Sequence, residues 1–174
     1  MEDHVLTTPP TPGHNSVNPF IIVRGSASEF ITFLEKVFHA AERREVHTPD
    51  RDGTLIHAEV AIGNGTIMVA DAKQDWPFTP AFTQVYVSDA QAVLDRALSF
   101  GAEMVTRVSP FYGMKLARFR DPWGNLWWLY QPEEGAAPAT TADTADTSWH
   151  DADPSYVYTS LMTAMASPRP EHDR

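Results

Sequence analysis

Residues 121–130 read DPWGNLWWLY, and this stretch decides the fold. Pro122 to Asn125 signals a turn: proline presets φ, glycine admits a left-handed backbone, and asparagine bonds its own main chain. The aromatic and leucine-rich run that follows reads as a strand. KLARFR, just ahead of the turn, supplies its partner, so the stretch closes a strand pair. Upstream, HAEVAIGNGTIMVAD repeats the pattern around Gly63-Asn64-Gly65.

The repetition extends outward from these two hairpins. Phe30, Phe33, Leu34, Val37 and Phe38 stand at helical spacing, as do Ala90, Val93, Leu94, Ala97 and Leu98. Ser26 with Glu29 predicts a capping box for the first helix, and Asp89 an N-cap for the second. Gly101 fits a left-handed end to the second helix, and His39 stands at the matching place in the first. A β-rich run precedes each helix, VNPFIIV (17–23) or AFTQVYV (81–87), and another follows within 37–46 or 99–108. Each half therefore predicts β-α-β-β-β, over 17–71 and 80–132. One helix cannot cover such a sheet, so two packed units in an α+β fold are the expected solution.

Composition narrows the function. The 174 residues hold no cysteine, which excludes disulfides, thiolate metal sites and a cysteine nucleophile. The net charge of −10 is concentrated in the ends. Residues 133–174 carry eight acids against two arginines, and 1–16 carry Glu2 and Asp3 alone. That acidity solvates tails rather than selecting a cationic ligand. With no basic cluster to neutralise phosphates, nucleic acid is not an expected partner. No apolar run approaches membrane-spanning length and the N-terminus has no secretory pattern, so a cytoplasmic location with no membrane partner is the expectation.

VNPFIIVRGSASEFITFLEKVFHA, GTLIHAEVAIGNGTIMVAD and DPWGNLWWL, in this order and spacing, resemble the vicinal oxygen chelate superfamily of glyoxalase I, bleomycin-resistance proteins and extradiol dioxygenases. Within it the chain is most similar to the PhnB-like branch. The resemblance covers roughly residues 17–132. It implies paired βαβββ modules forming a curled mixed sheet around a ligand cavity, often completed as a homodimer. It further implies that metal-dependent members hold a divalent cation with one side chain from the first and one from the last strand of each unit. Those positions fall on Asn18, Met68, Phe82 and Trp128 here, matching Val23 with Val87 and IMV (67–69) with WWL (127–129). None is a carboxylate or imidazole, so no metal and no cofactor are expected.

Strand alternation then assigns faces. Phe20, Ile22, Thr66, Ala70, Gln84, Tyr86, Leu126 and Tyr130 join those four positions toward the cavity, while Ile21, Val23, Val69, Val85, Val87, Trp127 and Leu129 form the core beneath the helices. The expected ligand-binding set is Asn18, Phe20, Met68, Phe82, Gln84, Tyr86, Tyr112, Trp128 and Tyr130. Tyr112 is implied as a lid contact by the resemblance, whose members often border the cavity with the loop corresponding to SPFYGMK. Sparse amides and phenols among rings suit a planar small-molecule ligand, and a cavity filled by its own rings is the competing reading. His57 and Glu59 share one strand face, as an acid–base pair, as two ligands of an unusual metal site, or as polar residues on a solvated or dimer-facing surface. Lys115 and Arg118 are anion-binding candidates, or surface charges paired with acids across strands. Trp76 either covers the cavity or anchors the linker 71–80.

Residues 133–152 are low-complexity and predict a flexible linker, as 1–16 and 167–174 predict tails. Residues 153–166 predict a helix with Asp153 as N-cap, Pro154 at its first position and Val157, Leu161, Ala164 and Met165 on one stripe. So short a helix must dock if it is ordered. The function expected is metal-independent binding of an apolar or aromatic compound, of the bleomycin-resistance type. The alternative is a metal-free isomerase, cyclase or lyase using Tyr86, Tyr130, His57 or Glu59 as acid–base groups. A metal-dependent lyase or dioxygenase is disfavoured by the four positions above.

Overall fold

The computed structural model describes residues 10–133 and 155–167. The chain forms two compact units, Met1–Thr79 and Pro80–Arg174. The first runs β1 (Phe20–Val23), α1 (Ala27–Phe38), β2 (Ala41–Glu42), a 3₁₀ turn (Arg44–Val46), β3 (Thr48–Pro49), β4 (Leu55–Ile62) and β5 (Gly65–Asp71). The second runs β6 (Phe82–Tyr86), α2 (Ala90–Ser99), β7 (Glu103–Phe111), β8 (Met114–Arg120), β9 (Leu126–Pro132) and α3 (Tyr156–Ala166). The sheet orders are β1-β5-β4-β2, with β3 beside β4, and β6-β9-β8-β7. Both are curled mixed sheets: the first strand lies parallel to the last, and the hairpins are antiparallel.

The duplication extends to register. Met68 pairs with Phe20 on one side and Glu59 on the other; Trp128 pairs with Gln84 and Arg118. The alignment of IMV with WWL is therefore the structural one. The units differ at their second strand. In the second unit it is one nine-residue strand, β7. In the first, the charged run Glu42–Glu45 and Pro49 favour the pleat poorly, and the strand breaks into β2 and β3 around the 3₁₀ turn.

Capping follows the sequence. The Ser26 hydroxyl accepts the Glu29 N–H and the Asp89 carboxylate accepts that of Ala92. His39 takes up a left-handed conformation (φ 54°, ψ 37°) and Gly101 has φ 90° just past α2. A side chain of each last strand holds the helix start: Ala27 N–H donates to Asp71 (2.7 Å), and Ala90 N–H to Gln131 (2.9 Å). Helix α1 buries Phe30, Leu34 and Val37 on a sheet whose inner face shows Ile21, Val23, Val60 and Val69. Helix α2 covers β8 and β9 with Leu94 and Ala97, where Trp127 stacks on Phe119 with ring centres 6.2 Å apart.

Three expectations need correction. Residues 10–16 are not a loose tail, because the Thr66 hydroxyl donates to the Gly13 carbonyl and the Asn15 amide to that of Asn64. Ser155, not Asp153, caps the last helix, whose first turn it holds through the Tyr158 N–H; 153 and 154 lie outside the described residues, as do 134–152 of the expected linker and the tails 1–9 and 168–174. Its stripe is Val157, Ser160, Leu161 and Ala164, leaving Met165 exposed. Trp76 anchors its loop through its carbonyl, which accepts from Arg24 at 2.7 Å, while the ring stays exposed. No helix among the described residues is long and apolar enough to cross a membrane.

Asp121 organises the turn that opens β9. Its carboxylate accepts the main-chain N–H groups of Trp123 and Asn125, the Asn125 side-chain amide and the Trp127 indole N–H, all at 2.8–3.0 Å. Burial pushes this carboxyl up to about 6, against the pull of those four donors. Asp121→Asn replaces an acceptor by a donor facing donors. It should cost about 1–3 kcal/mol at pH 7, read from urea unfolding. Because the folded-state pKa exceeds the unfolded value near 3.8, wild type gains stability from this residue as pH falls from about 6 toward 4. The deficit of the asparagine variant should widen over that window; a constant deficit would refute the assignment.

Candidate functional site

Each sheet sends alternate side chains away from its helix, and on these open faces lie the residues that carry chemistry. In the first unit the open face bears Phe20, Met68, His57 and Glu59. Glu59 is the hub: Arg43 Nη1 lies 2.8 Å from one carboxylate oxygen and His14 Nε2 3.1 Å, with His57 Nε2 3.4 Å from the other. Burial works against its charge, yet the histidine hydrogen bonds and the Arg43 charge hold this carboxyl below the usual range. Phe20 stands edge-on to His57, ring centres 6.2 Å apart. Asn18 points elsewhere: its amide accepts from the Asn15 N–H and donates to the Asn15 carbonyl, bracing the entry to β1.

The open face of the second unit is aromatic. Phe82 meets Trp128 edge-on at 6.1 Å, Tyr86 lies against Tyr130 at 5.7 Å, and Phe111 adds a ring 6.3 Å from Tyr130. Gln84 Nε2 donates to the Tyr86 hydroxyl at 3.3 Å. Phe82 is 52% and Tyr86 62% exposed, so these large rings face outward instead of filling a core. Tyr112 packs on Phe111 at 4.6 Å from a β7–β8 turn where it holds φ 47°, a left-handed conformation unusual for a tyrosine. Of the nine expected ligand-binding residues, Phe82, Gln84, Tyr86, Tyr112, Trp128 and Tyr130 come together here. Asn18, Phe20 and Met68 belong to the first unit.

Arg118 completes this face and corrects the sequence reading. Its partner across the strands is Thr106, not an acid, and the residue is 4% exposed. Nη1 donates to Thr106 Oγ1 (3.2 Å) and to the Val157 carbonyl of α3 (2.8 Å), and the guanidinium carbon lies 5.5 Å from the Trp128 ring centre. Lys115 is exposed. Register gives a signal for Arg118: counting back from the turn places it opposite Trp128. Contacts of His14 and Arg43 with Glu59 join distant stretches and leave no local signal. Helix α3 lies against β7, held from β8 by Arg118 and by Arg120, which donates to the Ala164 carbonyl (2.7 Å). Ser160 with Thr106 (2.8 Å), and Tyr156 with the Arg107 N–H (3.0 Å), complete the seam.

The donor set does not fit the metal implied by the resemblance. Asn18 spends its amide on Asn15, Met68 offers a thioether, and Phe82 and Trp128 offer hydrocarbon and an indole N–H that cannot ligate. Among the described residues no group of three or more His, Asp or Glu is arranged to hold a metal ion.

Residues 16–129 match the family model of the Glyoxalase/Bleomycin resistance protein/Dioxygenase superfamily. An uncharacterised protein of Mycobacterium bovis is 34% identical over 129 residues, 67% of this chain and 83% of that protein. Among solved structures, TioX from Micromonospora sp. ML1 is 22% identical with a TM-score of 0.53, over 67% of this chain and 99% of that one. The fosfomycin resistance protein FosX from Listeria monocytogenes is 16% identical with a TM-score of 0.51, over 73% and 94%. At these identities the structural likeness concerns the fold.

The two tryptophans of the opening stretch should separate experimentally. Trp127, fully buried with its N–H on Asp121, should cost about 3–5 kcal/mol as Trp127→Ala. Trp128→Ala, from the half-buried open face, should cost less than about 2 kcal/mol. Equal losses in urea unfolding would overturn the face assignment.

Proposed function

The chain belongs to the glyoxalase/bleomycin resistance protein/dioxygenase superfamily, and we propose that it is a metal-independent binding protein for a planar, aromatic small molecule. The observation that supports this most directly is the outward-facing cluster of Phe82, Trp128, Tyr86 and Tyr130. Four rings turned away from the hydrophobic core forgo burial that sequence could have arranged, and they present stacking surface with few polar groups to orient a ligand. The PhnB-like character of the HAE and DPWGN segments, and a resistance-type role by analogy with the fosfomycin resistance neighbour, belong to the same proposal.

A metal-free enzyme is less well supported by the same geometry. Burial raises the Tyr130 phenol and the Arg118 charge only partly offsets it, so Tyr130 is a hydrogen-bond donor at neutral pH and not a base. Glu59 is engaged by Arg43, His14 and His57.

N-phenyl-1-naphthylamine, a neutral fluorescent two-ring probe, tests the binding role. Titration should saturate at one probe per chain, with energy transfer from tryptophan, and should be unchanged by EDTA. Trp128→Ala should weaken binding about tenfold, the worth of one good ring contact. No saturable binding, or binding abolished by the chelator, would refute the proposal.

A further inference from the structure

Arg118 is the one feature of the second unit's open face that aromatic binding leaves unexplained. A guanidinium with 4% of its residue surface exposed ordinarily sits beside a carboxylate, because desolvating the cation is expensive. Here both hydrogen bonds leave from Nη1, and both acceptors are neutral: the Thr106 hydroxyl and the Val157 carbonyl. Nε is buried and has no partner among the described residues. The equivalent position of the first unit shows what a satisfied charge looks like. Glu59, opposite Met68 as Arg118 is opposite Trp128, is matched by Arg43 and two histidines.

The uncommitted part of Arg118 has a definite shape. With Nη1 spent, the Nε–Nη2 edge remains, two roughly parallel N–H groups spaced to hold two oxygens of one oxyanion. The guanidinium carbon lies 5.5 Å from the Trp128 ring centre, on the face that carries Phe82, Tyr86 and Tyr130. We propose that Arg118 is the specificity residue of this face and that the ligand is an aromatic compound bearing a carboxylate, sulfonate or similar oxyanion, held side-on by the Nε–Nη2 edge while its rings lie against Trp128. This rests on the reading of the face as a binding site. Helix α3 belongs to the arrangement: its Val157 carbonyl fixes Nη1 and turns the opposite edge of the fork toward the ligand. Arg118 thus replaces metal chelation as the means of orienting a polar group among rings.

Two probes with one ring frame test it. 1-Anilinonaphthalene-8-sulfonate is N-phenyl-1-naphthylamine with a sulfonate added. Wild type should bind the sulfonate at least about tenfold more tightly, the worth of a charge-assisted bidentate contact. Because a guanidinium does not titrate, the preference should hold from about pH 5 to 9. Arg118→Gln should bring the two probes within about twofold of each other. Arg118→Lys keeps a charge but not the fork, and should retain only part of the preference; it also serves if the glutamine variant does not fold. Equal binding of both probes by wild type overturns the anion assignment and leaves aromatic binding standing. A preference that survives in a folded Arg118→Gln protein, or disappears toward pH 9, places the anion on another group and overturns it too. Binding of neither probe removes both readings.

Discussion

The second unit depends on one buried carboxylate. Asp121 gathers four N–H donors within a five-residue turn and its following strand, so the turn, the first indole of β9 and the Asn125 amide are fixed relative to one another. Asn125 carries the constraint onward, because its side-chain carbonyl accepts the Ala81 N–H at the entry to β6. One acid thereby sets the hairpin, holds Trp127 in the core and pins the parallel strand. Once Trp127 is inside, alternation leaves Trp128 no choice of face. The chemistry of the open face is a consequence of a turn.

The same logic runs through the first unit with different residues. Gly63-Asn64-Gly65 closes its hairpin without a buried acid, and the anchoring carboxylate sits at the other end of the strand, where Asp71 accepts from Ala27 and from Leu55 (2.6 Å). The two units reach one register by different hydrogen bonds. What their open faces share is a position, Glu59 and Arg118, each opposite the residue that the resemblance marks for a metal ligand. Opposite charges at that shared position show how far the halves have diverged in chemistry while keeping their geometry.

Much of this was legible in the sequence because it is local. Capping at Ser26 and Asp89, the left-handed His39, the hairpin turns and the split between Trp127 and Trp128 all follow from residues within one turn or one strand. The broken second strand of the first unit was missed because the repeat was extended over AERREV (41–46), although its charged run and Pro49 lack the Met, Val and Thr of AEMVTRV (102–108). Asn18 was misread because it precedes β1 instead of standing on it, and its amide turns back onto Asn15. Of the Glu59 cluster, His57 was legible two residues away on the same strand, whereas His14 and Arg43 are brought to it only by the fold. The burial of Arg118 depends on α3, supplied by a segment about forty residues further along the chain.

That dependence bears on how the proposed face would orient a ligand without a metal. A metal concentrates charge and direction at one point, and residues around it need only be near. A guanidinium has direction but must be held, since a mobile arginine surrenders rotamer entropy for every contact it makes. Thr106 from the neighbouring strand and Val157 from α3 bind one nitrogen and thereby fix the whole planar group. The ordering cost is met when the chain folds, before any ligand arrives, as preorganised recognition requires. On the proposed reading the last helix, outside the repeated β-α-β-β-β pattern, is part of the site, because its Val157 carbonyl is one of the two acceptors that hold Arg118.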